Sequence, residues 1–436
     1  MKIFSKLLII FKIISLSACG GGGSSVPISV TNTYTISGTV SGLSNGNQIV
    51  LLNSGGNAVT VTSNANFSFS NPIAYNGSYS ATIGTQPAGQ TCTVINGTGV
   101  GVAANVSDIS VICSGTNNYT GTVSTFAGTG AQGSADGAGT SASFNGPGEI
   151  AIDVNGNLYV SDSGNFQIRK LTSAGFVSTF AGGGSGANRV FNRPNGVSVD
   201  AAGDVYVADP PSHKIRKINA VGVVSVFAGT GAIGSADGIG TSATFNTPNG
   251  VAVDASGNVY VVDTGNQKIR KITAAGVVST LAGTGVRGTN NGTAANATFT
   301  NPNAIAIDVN GNIYVAEYST NTIRKIDVAG TVSTLAGTGL QGSADGAGQV
   351  ANFNGPNAIA TDSSGNVYVA ESGNQKIRKI SAGGIVSTLA GTGARGSNDG
   401  PLRTATFSSP AGIVVDTNGS LYIIDSGNNK IRKITF

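Results

Sequence analysis

The chain has 436 residues, among them 66 Gly, one His and no Trp, and only 10% of its residues are charged. The formal net charge of +4 is too small for a typical nucleic-acid-binding protein, which shows a one-sided basic excess. A single His cannot form a multi-histidine zinc site. Short Val, Ile and Tyr runs bounded by Gly, Asn, Asp and Pro are frequent and helical periodicity is rare, so we predict an all-β protein.

The N-terminal stretch MKIFSKLLIIFKIISLSAC combines early lysines with a short apolar run, as a secretory signal does. Its end, LSAC, resembles the lipobox of bacterial lipoproteins, which implies removal of residues 1–18 and lipidation of Cys19. The Gly/Ser-rich residues 19–30 then form a flexible tether. Removal of the three lysines in the signal lowers the net charge from +4 to +1. We therefore expect a protein of the bacterial cell envelope, anchored to the outer membrane by its lipid; the alternative is an ordinary signal with an incidental Cys.

Residues 31–115 contain strand-like runs at roughly ten-residue spacing with Gly and Asn turns between them, which predicts a small β-sandwich. Through GTVSGL, TQPAGQTCTV and ISVIC, the segment resembles the immunoglobulin-like modules found near the tether of bacterial lipoproteins. Lipidation of Cys19 leaves Cys92 and Cys113 as a pair. A disulfide between them closes a loop of about 22 residues and stabilises the module by roughly 3 kcal/mol; the alternative is two buried thiols.

Residues 116–436 are repetitive. An aligned Asp occurs six times, separated once by 47 residues and then four times by 54: Asp153, Asp200, Asp254, Asp308, Asp362 and Asp416. Each copy holds four strand candidates, as in NGVAVDA, NVYVVD, KIRKIT and VVSTLAG, which is typical of a propeller blade. The segment enters with a lone fourth strand at 122–128 and ends on a third strand. We expect the entering strand to complete the last blade, which closes the ring and covers both edges.

The unit PNGVAVDASGNVYVVDTGNQKIRKI, residues 248–272, resembles the NHL repeat. This resemblance implies a six-bladed β-propeller; the repeat motif concerns the fold and carries no chemistry. The second copy departs from it, with DPPSHK in the turn and a shortened loop before the blade. The fourth copy departs with EYSTNT.

The recurring Arg-Lys pair first suggests a phosphate-binding stripe. In a hairpin with the turn TGNQ, however, Asp263 lies opposite Lys268 and Val261 lies opposite Arg270. We therefore predict that the acids neutralise the basic residues within each blade, as surface ion pairs that contribute little stability.

Five inter-blade loops contain G-x-G-x-x-G, but Gly, Ser and Thr follow where a dinucleotide site needs a helix N-terminus. The sequence SADGAG lacks the acidic spacing of a calcium loop. We predict no cofactor; calcium shared between several loops is the alternative. A recurring Phe before each blade is expected to fill the core.

Propeller connections from fourth to first strands and from second to third strands lie on one face, which we call the rim. A ligand without six-fold symmetry needs a binding surface that differs from blade to blade. Our candidate ligand contacts therefore include the rim residues at which the copies differ. They are Arg189, Arg193, Asp209, His213, Asp263, Arg287, Glu317, Tyr318, Glu371, Arg395, Arg403 and Asp425.

The sequence assigns no catalytic or metal-binding residue. The single His213 lies in a turn that we expect to be exposed, and no set of acidic and Asn residues like the axial metal site of lactonase-type propellers can be assigned. We predict a membrane-anchored scaffold that binds a protein, peptide or glycan and no nucleic acid. The alternative is a metal-dependent hydrolase or lactonase on the propeller axis.

Overall fold

The computed structural model describes residues 32–43, 47–87, 90–115, 119–184 and 189–436. Residues 1–18, the tether and Cys19 lie outside these ranges, so their predicted roles stay predictions. No helix in the described ranges has the length and apolar character needed to cross a bilayer.

The N-terminal module is built from two four-stranded sheets and a two-stranded ribbon. Its strands are Thr33–Tyr34, Ile36–Ser41, Ile49–Asn53, Asn57–Val61, Asn66–Ser68, Ile73–Ala74, Tyr79–Thr85, Gln90–Ile95, Thr98–Gly99 and Val106–Gly115. Side chains from both larger sheets, such as Val111 and Leu51, share one core, as in a β-sandwich. Cys92 and Cys113 lie directly opposite each other on adjacent strands and form a disulfide, which confirms the predicted pairing.

The rest of the chain forms six blades, which confirms the all-β propeller. Counted outward from the axis, the first strands are Ile150–Ile152, Val197–Val199, Pro248–Val253, Pro302–Ile307, Pro356–Thr361 and Pro410–Val415. The second strands are Leu158–Asp162, Val205–Asp209, Val259–Asp263, Ile313–Glu317, Val367–Glu371 and Leu421–Asp425. The third strands are Gln167–Leu171, Lys214–Ile218, Lys268–Ile272, Thr322–Ile326, Lys376–Ile380 and Lys430–Thr435. The fourth strands of blades 1 to 5 are Phe176–Gly182, Val224–Ala228, Val277–Ala282, Thr331–Ala336 and Ile385–Ala390.

Blade 6 takes its fourth strand from the start of the repeats, Thr122–Ala127, which pairs antiparallel with Lys430–Thr435. The ring is therefore closed as the sequence predicted. Both Ile of the recurring third strand are buried, as Ile377 and Ile380 show, because each face of a blade packs on a neighbouring blade.

A short fifth strand from the loop that precedes each blade covers the outer edge of five blades. These strands are Gly137–Ala138, Gly238–Ile239, Gly292–Thr293, Gly346–Ala347 and Gly400–Pro401. In the part of the chain that the structure describes, the sheet of blade 2 has four strands. Short 3-10 helices lie in the connections, at Gly139–Ser141, Ser163–Asn165, Pro210–Ser212, Gly240–Ser242, Thr264–Asn266 and Ser426–Asn428.

The N-terminal module packs on the outer side of blade 5. The last strand of the module, Val106–Gly115, contacts the fourth strand Ile385–Ala390 and the covering strand Gly346–Ala347 of this blade. Just after the module, the Tyr119 hydroxyl lies 3.1 Å from Oγ of Ser387. The channel along the propeller axis is lined by residues of the blades and by none of the described residues of the module.

Candidate functional site

Each blade contains a buried ion pair between the last residue of its second strand and the Arg of its third. The distances are 2.8 Å for Asp162–Arg169, 3.0 Å for Asp209–Arg216, 2.8 Å for Asp263–Arg270, 2.9 Å for Glu317–Arg324, 3.0 Å for Glu371–Arg378 and 2.7 Å for Asp425–Arg432. All six carboxylates are completely buried. A completely buried side chain offers no surface to a ligand on the rim. The prediction that Asp209, Asp263, Glu317, Glu371 and Asp425 contact a ligand there is therefore corrected, because these acids hold the blades together.

The predicted cross-strand register is observed, with Asp263 opposite Lys268 and Val261 opposite Arg270. The predicted partner is wrong, however, since the carboxylate bonds to the diagonal Arg270 and Lys268 reaches outward to Ser235. Diagonal neighbours on one face of a sheet are within reach of long side chains. The Arg charges are thus removed from the surface, and these pairs are not the weak surface pairs that we expected.

In most blades the same Arg also holds the covering loop. Nη2 of Arg270 donates to the carbonyl of Ala236 at 3.1 Å and to Oδ1 of Asp237 at 2.6 Å, while Asp237 accepts the backbone N–H of Thr280. The Arg270 guanidinium lies 5.2 Å from the ring centre of Phe245, which is completely buried, as expected for a core residue. The recurring loop Asp is therefore a structural group that ties a loop to its blade.

The remaining rim candidates do not converge on one place. The Arg189 guanidinium lies 3.6 Å from the centre of the Phe166 ring. His213 is partly rather than fully exposed, and its Nδ1 accepts the backbone N–H of Thr247 at 3.0 Å. Other members are exposed and separated around the rim: Arg287, Tyr318, Arg395 and Arg403. Only Arg193 lines a cleft next to the propeller axis.

The central opening on the rim side, which we call the axial mouth, is formed by Glu149 and by the residue after the Pro that begins each blade. Those residues are Gly148, Asn195, Asn249, Asn303, Asn357 and Ala411. The four Asn side chains form a ladder in which each Nδ2 donates to the Oδ1 of the next Asn. The ladder crosses blades 2 to 5 and ends where blade 1 has Gly and blade 6 has Ala.

Glu149 fills this gap in the ring. Its carboxylate accepts backbone N–H groups from Ile150, at 3.2 Å, and Ile413. A Cβ on Gly412 would lie 2.9 Å from Oε1 of Glu149, so the side chain occupies space that a larger residue in blade 6 would fill. Burial raises the pKa of Glu149 to about 8 because desolvation outweighs the two backbone hydrogen bonds.

Sequence reasoning missed Glu149 and the Asn ladder. A signal existed, because aligned copies read PNG or PNA at this point, whereas the first reads PGE and the sixth PAG. The alignment alone does not show that these six positions meet around one axis.

Two spaces adjoin the axial mouth. A channel of about 300 Å³ runs along the axis and is lined by consecutive residues of the first strands, such as 150–152 and 305–307. Consecutive lining residues mean that strand edges face the channel. Some of their backbone groups bond to side chains of the neighbouring blade, as the N–H of Val253 does to Ser198 and the C=O of Ile307 does to Thr361. A second cleft, of about 380 Å³, lies beside the mouth, with Arg193, Pro210 and Ser426 in its walls.

The oxygen donors at the axial mouth fit a divalent metal poorly. Asn249, Asn303 and Asn357 each use Oδ1 to accept a neighbour's amide, which leaves the Glu149 carboxylate and Oδ1 of Asn195. Within the described ranges, no group of three or more His, Cys, Asp and Glu could hold a metal ion. One carboxylate is few for calcium, which takes six to eight oxygen ligands.

Residues 134–339 match the SMP-30/Gluconolactonase/LRE-like region, and residues 353–380 and 407–434 match the NHL repeat. Protein SUPPRESSOR OF QUENCHING 1, chloroplastic, of Arabidopsis thaliana is 41% identical over 73 residues, which cover 16% of this chain and 7% of that protein. Teneurin-3 of Danio rerio is 27% identical over 225 residues, which cover 45% of this chain and 8% of that protein. The chain thus spans less than a tenth of the length of these curated relatives.

Among solved structures, auxiliary nutrient binding proteins of Bacteroides thetaiotaomicron and Bacteroides ovatus superpose with TM-scores of 0.57 and 0.58. Each is 17% identical, and the match covers 89% of this chain and 90% of the other. At this identity the likeness shows the fold alone. The sequence matches relate the repeat region to the SGL and NHL-repeat families, and the fold that it shares with the solved structures is a β-propeller.

Proposed function

We propose that this protein is a binding protein of the bacterial cell envelope, anchored by a lipid on Cys19, whose propeller binds a small polar ligand at the axial mouth. The observation that carries the proposal is the interruption of the axial ring at Glu149. In blades 2 to 5 the axial Asn side chains form hydrogen bonds with one another. Polar groups that a ligand could bind are therefore left at blades 1 and 6, where the ladder is interrupted.

Three kinds of group face this gap. Within the described ranges, Oδ1 of Asn195 and Nδ2 of Asn357 have no hydrogen-bond partner and form the two ends of the ladder. The carboxyl of Glu149 lies between them and, with its pKa raised to about 8, donates a hydrogen bond at neutral pH. The adjoining cleft adds the guanidinium of Arg193. A compact molecule with several hydroxyl groups and one carboxylate would use all of these groups.

A nutrient-capturing role is supported by architecture and not by residue identity. Two proteins with this fold are described as auxiliary nutrient binding proteins, and the matched region extends over most of both chains. Binding without turnover also agrees with the poor fit of the axial donors to a catalytic metal.

The test is calorimetric titration of the full chain with a panel of neutral sugars, sugar acids and amino acids. We expect one class to bind and Glu149→Ala to weaken that binding at least tenfold, whereas Glu149→Gln, which keeps a donor and an acceptor in the place of the protonated carboxyl, should bind nearly as the wild type does. Arg287→Gln, which changes an exposed rim residue away from the mouth, is the matched control and should bind as the wild type does. Equal affinities for the wild type and Glu149→Ala would contradict the proposal.

The second candidate is a metal-dependent hydrolase or lactonase, which the match of residues 134–339 to the SMP-30/Gluconolactonase/LRE-like region favours. Metal analysis of the purified protein separates it from the first. A stoichiometric divalent metal that is lost in Glu149→Gln together with lactone hydrolysis would replace the binding role by an enzymatic one.

A further inference from the structure

The outer edge of blade 2 differs from that of every other blade. In the other five, the short fifth strand pairs with the fourth at a Val that is at most 1% exposed: Val123, Val177, Val278, Val332 and Val386. Among the described residues, which leave out 185–188 of the loop before this blade, blade 2 has no such strand, and its equivalent Val224 is partly exposed. The neighbouring Val221 and Val223 are 83% and 61% exposed. An uncovered edge flanked by apolar side chains is a template for strand addition.

The Arg of the blade 2 ion pair, Arg216, has no described partner that corresponds to the covering-loop Asp or Asn of the other blades. Arg216 bonds to Asp209 through Nε alone and is 17% exposed, whereas its five counterparts are completely buried. In those blades Nη2 donates to a side chain of the covering loop, which is Asp in four blades and Asn291 in blade 4. Both terminal nitrogens of Arg216 are without a hydrogen-bond partner in the described ranges. They mark the place where an acidic side chain is missing.

We propose that the outer edge of blade 2 binds an extended segment of a partner protein that carries an acidic residue. The segment adds as a fifth strand along Val224–Ala228, and its carboxylate takes the position on Arg216 that Asp237 takes on Arg270 in blade 3. The same carboxylate accepts the outward N–H of Val226, as Asp237 accepts that of Thr280. Val221 and Val223 supply the apolar contact beside it.

Charge selects this occupant over a second copy of the chain. The edge strand and the turn before it, residues 218–229 with the sequence INAVGVVSVFAG, contain no acidic residue. Two copies paired through this edge would therefore leave both Arg216 side chains without a carboxylate. A partner that carries its own Asp or Glu satisfies the guanidinium with a charge-assisted hydrogen bond.

The probe is a labelled peptide with the sequence GTGAIGSADGIG, residues 229–240, which includes the fifth strand of blade 3. Fluorescence polarisation should detect its binding to the full chain. Replacing its Asp by Ala should weaken binding at least tenfold; Ala is used because Asn fulfils this role in blade 4. Arg216→Lys should weaken binding to a similar degree, because an ammonium lacks the forked donors of a guanidinium.

Two further variants protect the test against a folding defect. Val226→Pro removes one N–H from an edge strand, where Pro is tolerated, and should also abolish binding. Lengthening the 182–191 loop to the blade 3 sequence 229–245 should cover the edge from within and block the peptide. The proposal is overturned if the wild type does not bind the peptide, or if Val226→Pro and Arg216→Lys bind it as the wild type does. A wild-type dimer that Val226→Pro dissociates would overturn it in favour of self-association.

Discussion

Glu149→Gln should raise the stability of the propeller at alkaline pH. The carboxyl has a pKa of 4.5 when solvated and of about 8 in the fold. Because the folded pKa is raised, the folded state binds a proton that the unfolded state releases between these two values. Glu149 therefore costs nothing below pH 4.5, and its cost grows as the pH rises to about 8.

The size of this stability difference follows from the shift of the Glu149 pKa from 4.5 to about 8. A shift of this size, at about 1.4 kcal/mol for each pKa unit, gives roughly 5 kcal/mol as an upper value. Because the side chain lines the channel and keeps some contact with water, we expect about 2–4 kcal/mol. Gln keeps the shape and an oxygen for the N–H groups of Ile150 and Ile413, so it removes the titration without removing these contacts.

The assay is urea denaturation of the wild type and Glu149→Gln at pH 5 and pH 9. The gain of the variant over the wild type should be larger at pH 9 by the amount given above. Arg287→Gln serves as a control whose difference from the wild type should stay constant between the two pH values. If the free energy of unfolding of Glu149→Gln differs from that of the wild type by the same amount at both pH values, Glu149 titrates normally and its carboxyl is not protonated in the fold at neutral pH.

Three other outcomes test the fold. Arg378→Gln should cost about 3–5 kcal/mol in urea denaturation because it leaves a buried carboxylate without its cation, whereas the solvent-directed Lys376→Gln should cost under about 1 kcal/mol; equal costs would contradict the assignment of the ion pair. Replacing Cys92 and Cys113 by Ser should destabilise the N-terminal module by roughly 3 kcal/mol, seen in its own calorimetric transition, while the propeller transition stays unchanged. Val123→Asp places a charge in the closing strand and should cost at least about 3 kcal/mol, and limited proteolysis near residue 120 no faster than in the wild type would argue against closure there.

The architecture could be predicted because it follows from periodicity. Six copies in register fix the number of blades, and a lone fourth strand at the start with a missing one at the end fixes how the ring closes. The cross-strand register followed from the length of a four-residue turn. Each of these inferences uses only distances along the chain.

The partner of each charge and the axial ring could not be predicted in the same way. Asp263 has both Lys268 and Arg270 within reach, and it binds the diagonal Arg270 while Lys268 reaches outward. Glu149 and Asn357 are more than 200 residues apart in sequence and meet only because the six first strands surround one axis. Such positions depend on the closed ring, so local sequence patterns do not reveal them.

Blade 2 differs from most other blades in its second turn as well as in its outer edge, and both differences concern the groups that hold a covering loop. In four other blades an Asn of the second turn bonds both to the buried carboxylate and to a carbonyl of the covering loop, as Asn266 does to Asp263 and Gly234. Blade 2 has Ser212 in that position and lacks this amide, as does blade 4 with Thr320, although blade 4 keeps its covering strand Gly292–Thr293. Arg216, however, is retained with its terminal nitrogens free, although nothing in its own blade needs them. The Arg itself is needed, because its Nε neutralises the buried Asp209, so it is the two free terminal nitrogens that point to a carboxylate supplied by another molecule.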